Sequence, residues 1–128
     1  MIIKTAELSD TALDWAVATC IGFKTYNNKQ IELQYGRLNV CVYPSHCQQF
    51  TPSTDWSQGG PIIEREDSLQ LKIWLESTPE TKCEVHIHNY KGDWVAFGAT
   101  PLIAAMRCYV ASKLGDEVNV PEAFKNPT

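Results

Sequence analysis

A chain of 128 residues, 44% hydrophobic and 20% charged, is an ordinary globular composition and enough for one domain with a core of its own. Its formal net charge of −4, with no run of lysine or arginine, disfavours nonspecific nucleic-acid binding, because phosphates reward clustered positive charge. No apolar stretch approaches the roughly 18 residues of a membrane span, and Met1-Ile2-Ile3-Lys4-Thr5-Ala6-Glu7 turns acidic too soon for a signal peptide, so the cytoplasm is the expected location.

Cys20, Cys41, Cys47, Cys83 and Cys108 are odd in number and never in Cys-x-x-Cys spacing. Without an export signal, free thiols are expected.

The first predicted element is a helix over 9–21. Ser9 stands as its N-cap, Leu8 and Leu13 occupy the positions of a hydrophobic staple, and Gly22 is a natural stop. Leu13, Ala16, Val17 and Cys20 form its apolar face, with Asp14 and Ala18 on the other side and Trp15 at the flank. Ile31, Leu33 and Tyr35 then alternate, as do Leu38, Val40 and Val42, predicting a weak hairpin turned at Gly36-Arg37. The polar stretch between Pro44 and Pro52 reads as a loop.

Ser53 or Thr54 is placed to cap a second helix, with Asp55 favouring its positive N-terminal end. Gly59-Gly60-Pro61 opposes a helix interior there. Two readings stay open: a short turn at 54–58 followed by a second short helix with Pro61 in its first turn, or one kinked helix held by packing. The kinked or broken version is preferred. In either, the Gly-Gly backbone permits a close approach.

Leu69, Leu71, Ile73 and Leu75 alternate with polar residues and Trp74, predicting a half-buried strand. Val85 and Ile87 form a second, and Trp94 to Phe97 a third after the turn residues Lys91-Gly92-Asp93. Thr100 caps the last helix, Pro101 takes its N1 position, and Gly115 ends it after Leu114. That helix is apolar nearly all round, so it is expected to be buried on more than one side. The fold class is α+β: a small antiparallel sheet of about three main strands plus the weak hairpin, packed sandwich-like by two or three helices. Residues 1–120 form one domain, and 121–128, with two prolines, form a frayed tail.

Three segments carry a resemblance. They are Leu13-Asp14-Trp15-Ala16-Val17-Ala18; the run 52–66, with Asp55-Trp56, Gly59-Gly60-Pro61 and Glu64-Arg65-Glu66; and the run 100–117, from Thr100-Pro101-Leu102 to Gly115-Asp116-Glu117. Together they resemble the NinX family of lambdoid and other tailed phages, over about two thirds of the chain. The resemblance implies a phage or prophage accessory protein, at work in the infected bacterial cell. The family has no established molecular activity, so it implies no reaction and no site residue. The chain is also similar to the compact helix–sheet–helix sandwiches of other small phage proteins.

Candidate site residues therefore come from chemistry. Arg107 interrupts a core-facing helix, and a buried guanidinium needs either a carboxylate, which Asp14, Asp55 or Glu64 would supply, or a bound anion such as a phosphate. The ordinary alternative is a structural ion pair, or a side chain reaching out to water. Trp56 offers a stacking surface, and Gly59 and Gly60, near a helix start, offer close backbone approach and N–H groups for an anion. The ordinary alternative is a capped turn with Trp56 in the core. Neither standard phosphate-loop pattern is present. Glu64-Arg65-Glu66 reads as a solvated face or half of a protein interface. His86 and His88 share one face of a strand, half a zinc site, with His46 and Cys47 as near candidates but no convincing third and fourth ligand. No nucleophile elbow is present, so no catalytic residue, metal or cofactor is assigned.

These observations favour a non-catalytic binding module. One version holds a small anionic ligand in a pocket lined by Trp56, Gly59, Gly60 and Arg107, with Asp55 and Glu64 beside it. The other binds a host or phage protein, or a second copy of the chain, through the Glu64–Glu66 surface and exposed tryptophans. The competing class is a small enzyme acting on a nucleotide or nucleic acid through Asp55 and Glu64.

Overall fold

The computed structural model describes residues 1–24, 29–35, 37–42 and 46–125. Among them are three α-helices and three antiparallel sheets, the α+β class expected. Gly36, Pro44 and the tail from 126 lie outside the described residues.

Helix α1 (Asp10–Cys20) begins after Ser9, whose carbonyl accepts from the Leu13 N–H, and Gly22 follows it at φ +106°. Leu8 and Leu13 are both fully buried, as a staple requires. The side with Asp14 and Ala18 is buried as well as the apolar face, since every residue from Ala12 to Ala18 is buried. Helix α3 (Pro101–Leu114) and strand β3 (Arg37–Val42) both pack against α1, and the backbone at Ser53 closes on Asp14, so the middle of the helix is covered on all sides.

Strand β2 (Lys29–Gln34) pairs with β3 as the predicted hairpin, with Ile31, Leu38 and Val40 turned into the core. Here the structure corrects the expected loop, because residues His46–Gln49 form a third strand, β4, along the far edge of β3. All four of its side chains are exposed, so nothing selects an apolar alternation that the sequence would display. The pairing sets Cys41 opposite Cys47, and the two form a disulfide; Cys20, Cys83 and Cys108 are free. The expectation of five free thiols therefore fails at the pair that the unforeseen strand brings together. Burial pushes the Cys20 and Cys108 thiols up to about 12, which leaves them protonated and inert at neutral pH.

Residues Trp56–Ile63 form a single helix, α2, capped by Asp55 in place of Ser53 or Thr54. The Asp55 carboxylate accepts from the Ser57 N–H at 2.9 Å and the Ser57 hydroxyl at 2.6 Å. Pro61 lies inside the helix.

Strands β5 (Ser68–Ile73), β6 (Cys83–Asn89) and β7 (Gly92–Gly98) form the predicted meander. Val85, Ile87 and Ala96 face α3, which lies over β6 and β7 and scarcely reaches the edge strand β5. Leu71, Ile73 and Leu75 are consequently exposed, not half-buried, and the strand stops at Ile73. Thr100 caps α3, its hydroxyl accepting from the Ile103 N–H at 3.1 Å, and Gly115 ends it at φ +88°, as the sequence predicts. Short strands β1 (Ile2–Lys4) and β8 (Glu117–Asn119) pair antiparallel and bring the two ends of the chain together. The tail is packed further than expected: Phe124 is buried with its ring 6.3 Å from that of Trp15.

Candidate functional site

Arg107 projects from α3 toward β7 and the short turn Thr5–Glu7. Its Nε donates to the Leu8 carbonyl at 2.7 Å and its Nη1 to the Phe97 carbonyl at 2.9 Å. Among the described residues no carboxylate forms a salt bridge with it. Burial holds its pKa below the ordinary value, and the negative charge of Asp10 pulls the other way. One turn further along α3, the small side chain of Ala111 leaves space. The result is a half-open pocket of about 330 Å³, with Lys4, Val95, Ala96, Asp116 and Glu117 among the other lining residues. The strand pair β1–β8 sets Lys4 directly across from Glu117, so the polar wall carries both signs of charge.

The other site residues predicted from sequence lie elsewhere. Trp56 is 55% exposed and lines a separate recess of about 220 Å³ with Ser53, Thr54 and residues 100–103, between the N-terminal ends of α2 and α3. Both helix ends already carry side-chain caps, Asp55 and Thr100, which take up backbone N–H groups an anion would use. Gly59 does make a close approach, but to the chain itself: a Cβ there would lie 2.5 Å from the Pro52 carbonyl oxygen and 2.7 Å from Leu102. Gly60 faces open space. Glu64 is exposed at the opposite end of α2 from Asp55, roughly 13 Å along a helix axis. The structure therefore does not gather Trp56, Gly59, Gly60 and Arg107 into one pocket, nor Asp55 and Glu64 into a catalytic pair.

Asp14 is the residue whose importance the sequence understated. It is not a partner of Arg107. Its carboxylate accepts the Ser53 N–H at 3.0 Å, tying α1 to the segment that leads into α2. Burial pushes its pKa up to about 6, against the opposing pull of hydrogen bonding at Ser53. The signal available in sequence was an acid inside the Leu13-Asp14-Trp15 segment, flanked by residues that are all apolar. Lys4 and Glu117 were missed because strands of three residues carry no legible period, and Asp116 lies in the bend just before the second of them.

His86 and His88 do share the outer face of β6, each engaged by a carboxylate: His86 by Glu84, His88 by Asp93. Trp74 Nε1 donates to the other Glu84 oxygen at 3.0 Å. Glu84 is held below its ordinary pKa by the hydrogen bond to His86 and then by that from Trp74. His46 and Cys47 belong to β4 in the other sheet, and among the described residues neither gathers with these histidines into a group of metal-ligand atoms.

Small antiparallel sheets backed by a long buried helix place the chain among small α+β domains of a kind found in phage proteins. A phage protein from Bacillus cereus ATCC 14579, known from a 2.0 Å crystal structure, shares the fold with a TM-score of 0.61. The likeness covers 82% of this chain and 92% of that one at 14% identity, and so concerns the fold alone. Residues 4–113 match the Bacteriophage P22 NinX family, and the chain belongs to that family. It is accordingly a phage accessory protein. No curated protein is significantly similar to it. Among the described residues no helix is long and apolar enough to cross a membrane.

Proposed function

We propose that the protein is a non-catalytic binding module that holds a small anionic molecule in the pocket at Arg107. The supporting observation is a half-buried guanidinium fixed by two backbone carbonyls and neutralised by no carboxylate at bonding distance among the described residues. A guanidinium positioned in this way offers its remaining N–H groups to a phosphate or carboxylate without further ordering. A pocket of about 330 Å³ suits a small ligand. Val95, Ala96 and Ala111 would take its apolar body, while Asp116 and Glu117 favour a ligand that also carries a hydroxyl or amine.

Native mass spectrometry of protein taken from phage-infected or lysogenic cells, followed by denaturation, tests the reading. A small anion is expected to be released, and Arg107→Met, with its fold checked by circular dichroism, is expected to hold that anion about 10- to 100-fold more weakly. A bare protein mass, or equal retention by the variant, would remove the reading.

A second reading rests on β5. Leu71 and Ile73 are 42% and 52% exposed on an edge strand whose outer side is paired by no described strand, and Trp74 and Leu75 are exposed just beyond its end. Such an edge accepts an added strand from a phage or host protein, or from a second copy. Light scattering is expected to show self-association that Ile73→Lys abolishes; the same monomeric mass in both proteins would count against a second copy as the partner.

A further inference from the structure

A further cluster lies outside the Arg107 pocket and the β5 edge. On the polar face of the β2–β3–β4 sheet, a Glu32 oxygen lies 3.0 Å from Cys41 Sγ and 4.0 Å from Cys47 Sγ. The carboxylate is held in place from both sides: Gln34 Nε2 donates to Oε2 at 3.0 Å and Gln30 Nε2 to Oε1 at 3.3 Å. Cys41 is fully buried beneath this arrangement, while Cys47 opens to solvent. The register explains why the three meet. Cys41 stands opposite Cys47 on one side and Gln30 on the other, and Glu32 is the diagonal neighbour on the same face. The three ligand atoms all fall within 4.8 Å of one another.

We propose that Glu32, Cys41 and Cys47 form a binding site for a thiophilic divalent cation, Zn²⁺ foremost, in the reduced protein, with the disulfide as the oxidised, metal-free form. Once the disulfide is reduced, two sulfurs and a carboxylate oxygen lie close enough to one another to share one ion, and a thiolate beside a carboxylate favours a cation between them. Two thiolates and one carboxylate are a recognised partial donor set for tetrahedral zinc, and sulfur donors select against Mg²⁺ and Ca²⁺. Side-chain rotation is enough to move the sulfurs to the roughly 3.8 Å separation that two Zn–S bonds of about 2.3 Å impose. The fourth position faces solvent and takes water. Gln34 and Gln30 act as positioning residues, since they orient the carboxylate without touching the ion.

The chemistry balances. A phosphine reductant supplies two electrons to the Cys41–Cys47 bond and leaves as its oxide, with the oxygen from water and one proton going to each sulfur. Zn²⁺ binding then displaces both thiol protons into solution.

The test uses the full chain, phosphine-reduced and unreduced, titrated with Zn²⁺ and with Co²⁺ as a spectroscopic probe. Reduced protein is expected to take up one equivalent, to release protons measurable in weak buffer, and to show a thiolate-to-cobalt charge-transfer band. Unreduced protein is expected to do none of these. Cys47→Ser, at an exposed position with little bearing on the fold, is expected to lose the band. Gln34→Met is expected to keep the band and bind about tenfold more weakly. No uptake by reduced, folded wild-type protein, or an unchanged band in Cys47→Ser, would overturn the proposal.

Discussion

Between pH 4 and pH 6 the contribution of Asp14 to stability is expected to fall by about 3 kcal/mol, and Asp14→Asn is expected to remove that fall. The carboxyl is 5% exposed, and burial raises its pKa in the folded protein to about 6 from the ordinary 3.8. In that window the folded state therefore binds more proton than the unfolded state. Stability arising from a raised pKa is fully present below about 4, is lost as pH rises, and is flat above 6. Asparagine keeps an oxygen to accept the Ser53 N–H but has no charge to bury. Urea denaturation of both proteins at several pH values should show the variant gaining on wild type by about 3 kcal/mol from pH 4 to pH 7. Glu84, with a lowered pKa, works in the opposite sense, adding stability above the carboxylate range, but it is common to both proteins and cancels in the difference. Parallel stability curves would show that Asp14 is not buried as a titrating acid.

What the sequence made legible is what local chemistry dictates. Thr100, Pro101 and Gly115 mark the limits of α3 because a cap, a missing N–H and a left-handed residue each act within one turn. The β6–β7 hairpin follows from Gly92 and the alternation around it. What was hidden depends on contacts distant in the chain. Strand β4 is stabilised by the open edge of β3, not by its own side chains, so His46–Gln49 read as loop, and the Cys41–Cys47 pair went unseen with it. Arg107 was legible as a charge interrupting a core-facing helix. Its surroundings were not, because they are built by Lys4, Asp116 and Glu117 from opposite ends of the chain. Trp56 and the two glycines looked like a ligand cradle because Gly-Gly permits close approach in general. Sequence cannot say what approaches, and here it is the Pro52 carbonyl.

The two neighbouring glycines of α2 are expected to respond unequally to alanine, and the difference explains how Gly59-Gly60-Pro61 sits in a helix at all. Gly59→Ala is expected to destabilise by about 1–3 kcal/mol, lowering Tm by roughly 4 °C for each kcal/mol. Its new Cβ would meet a backbone oxygen at 2.5 Å, which cannot swing aside as a side-chain tip can, and Leu102 of α3 at 2.7 Å. The contact therefore forces apart α2, α3 and the segment at Pro52, the same segment that Asp14 holds at Ser53. Gly60 has nothing within 4 Å of its virtual Cβ, so space alone predicts that alanine there gains about 1 kcal/mol of helix propensity. Pro61 changes that outcome, because a proline ring crowds the Cβ of a preceding residue in helical conformation. Gly60→Ala is therefore expected to be near neutral in the native background and to gain about 1 kcal/mol once Pro61→Ala has removed the ring. Thermal denaturation of the four proteins in that cycle, with Gly59→Ala alongside, measures both effects. Equal gains from Gly60→Ala in the two backgrounds would refute the proline account. A Gly59→Ala protein as stable as wild type would show that the helix crossing is looser than a 2.5 Å contact permits.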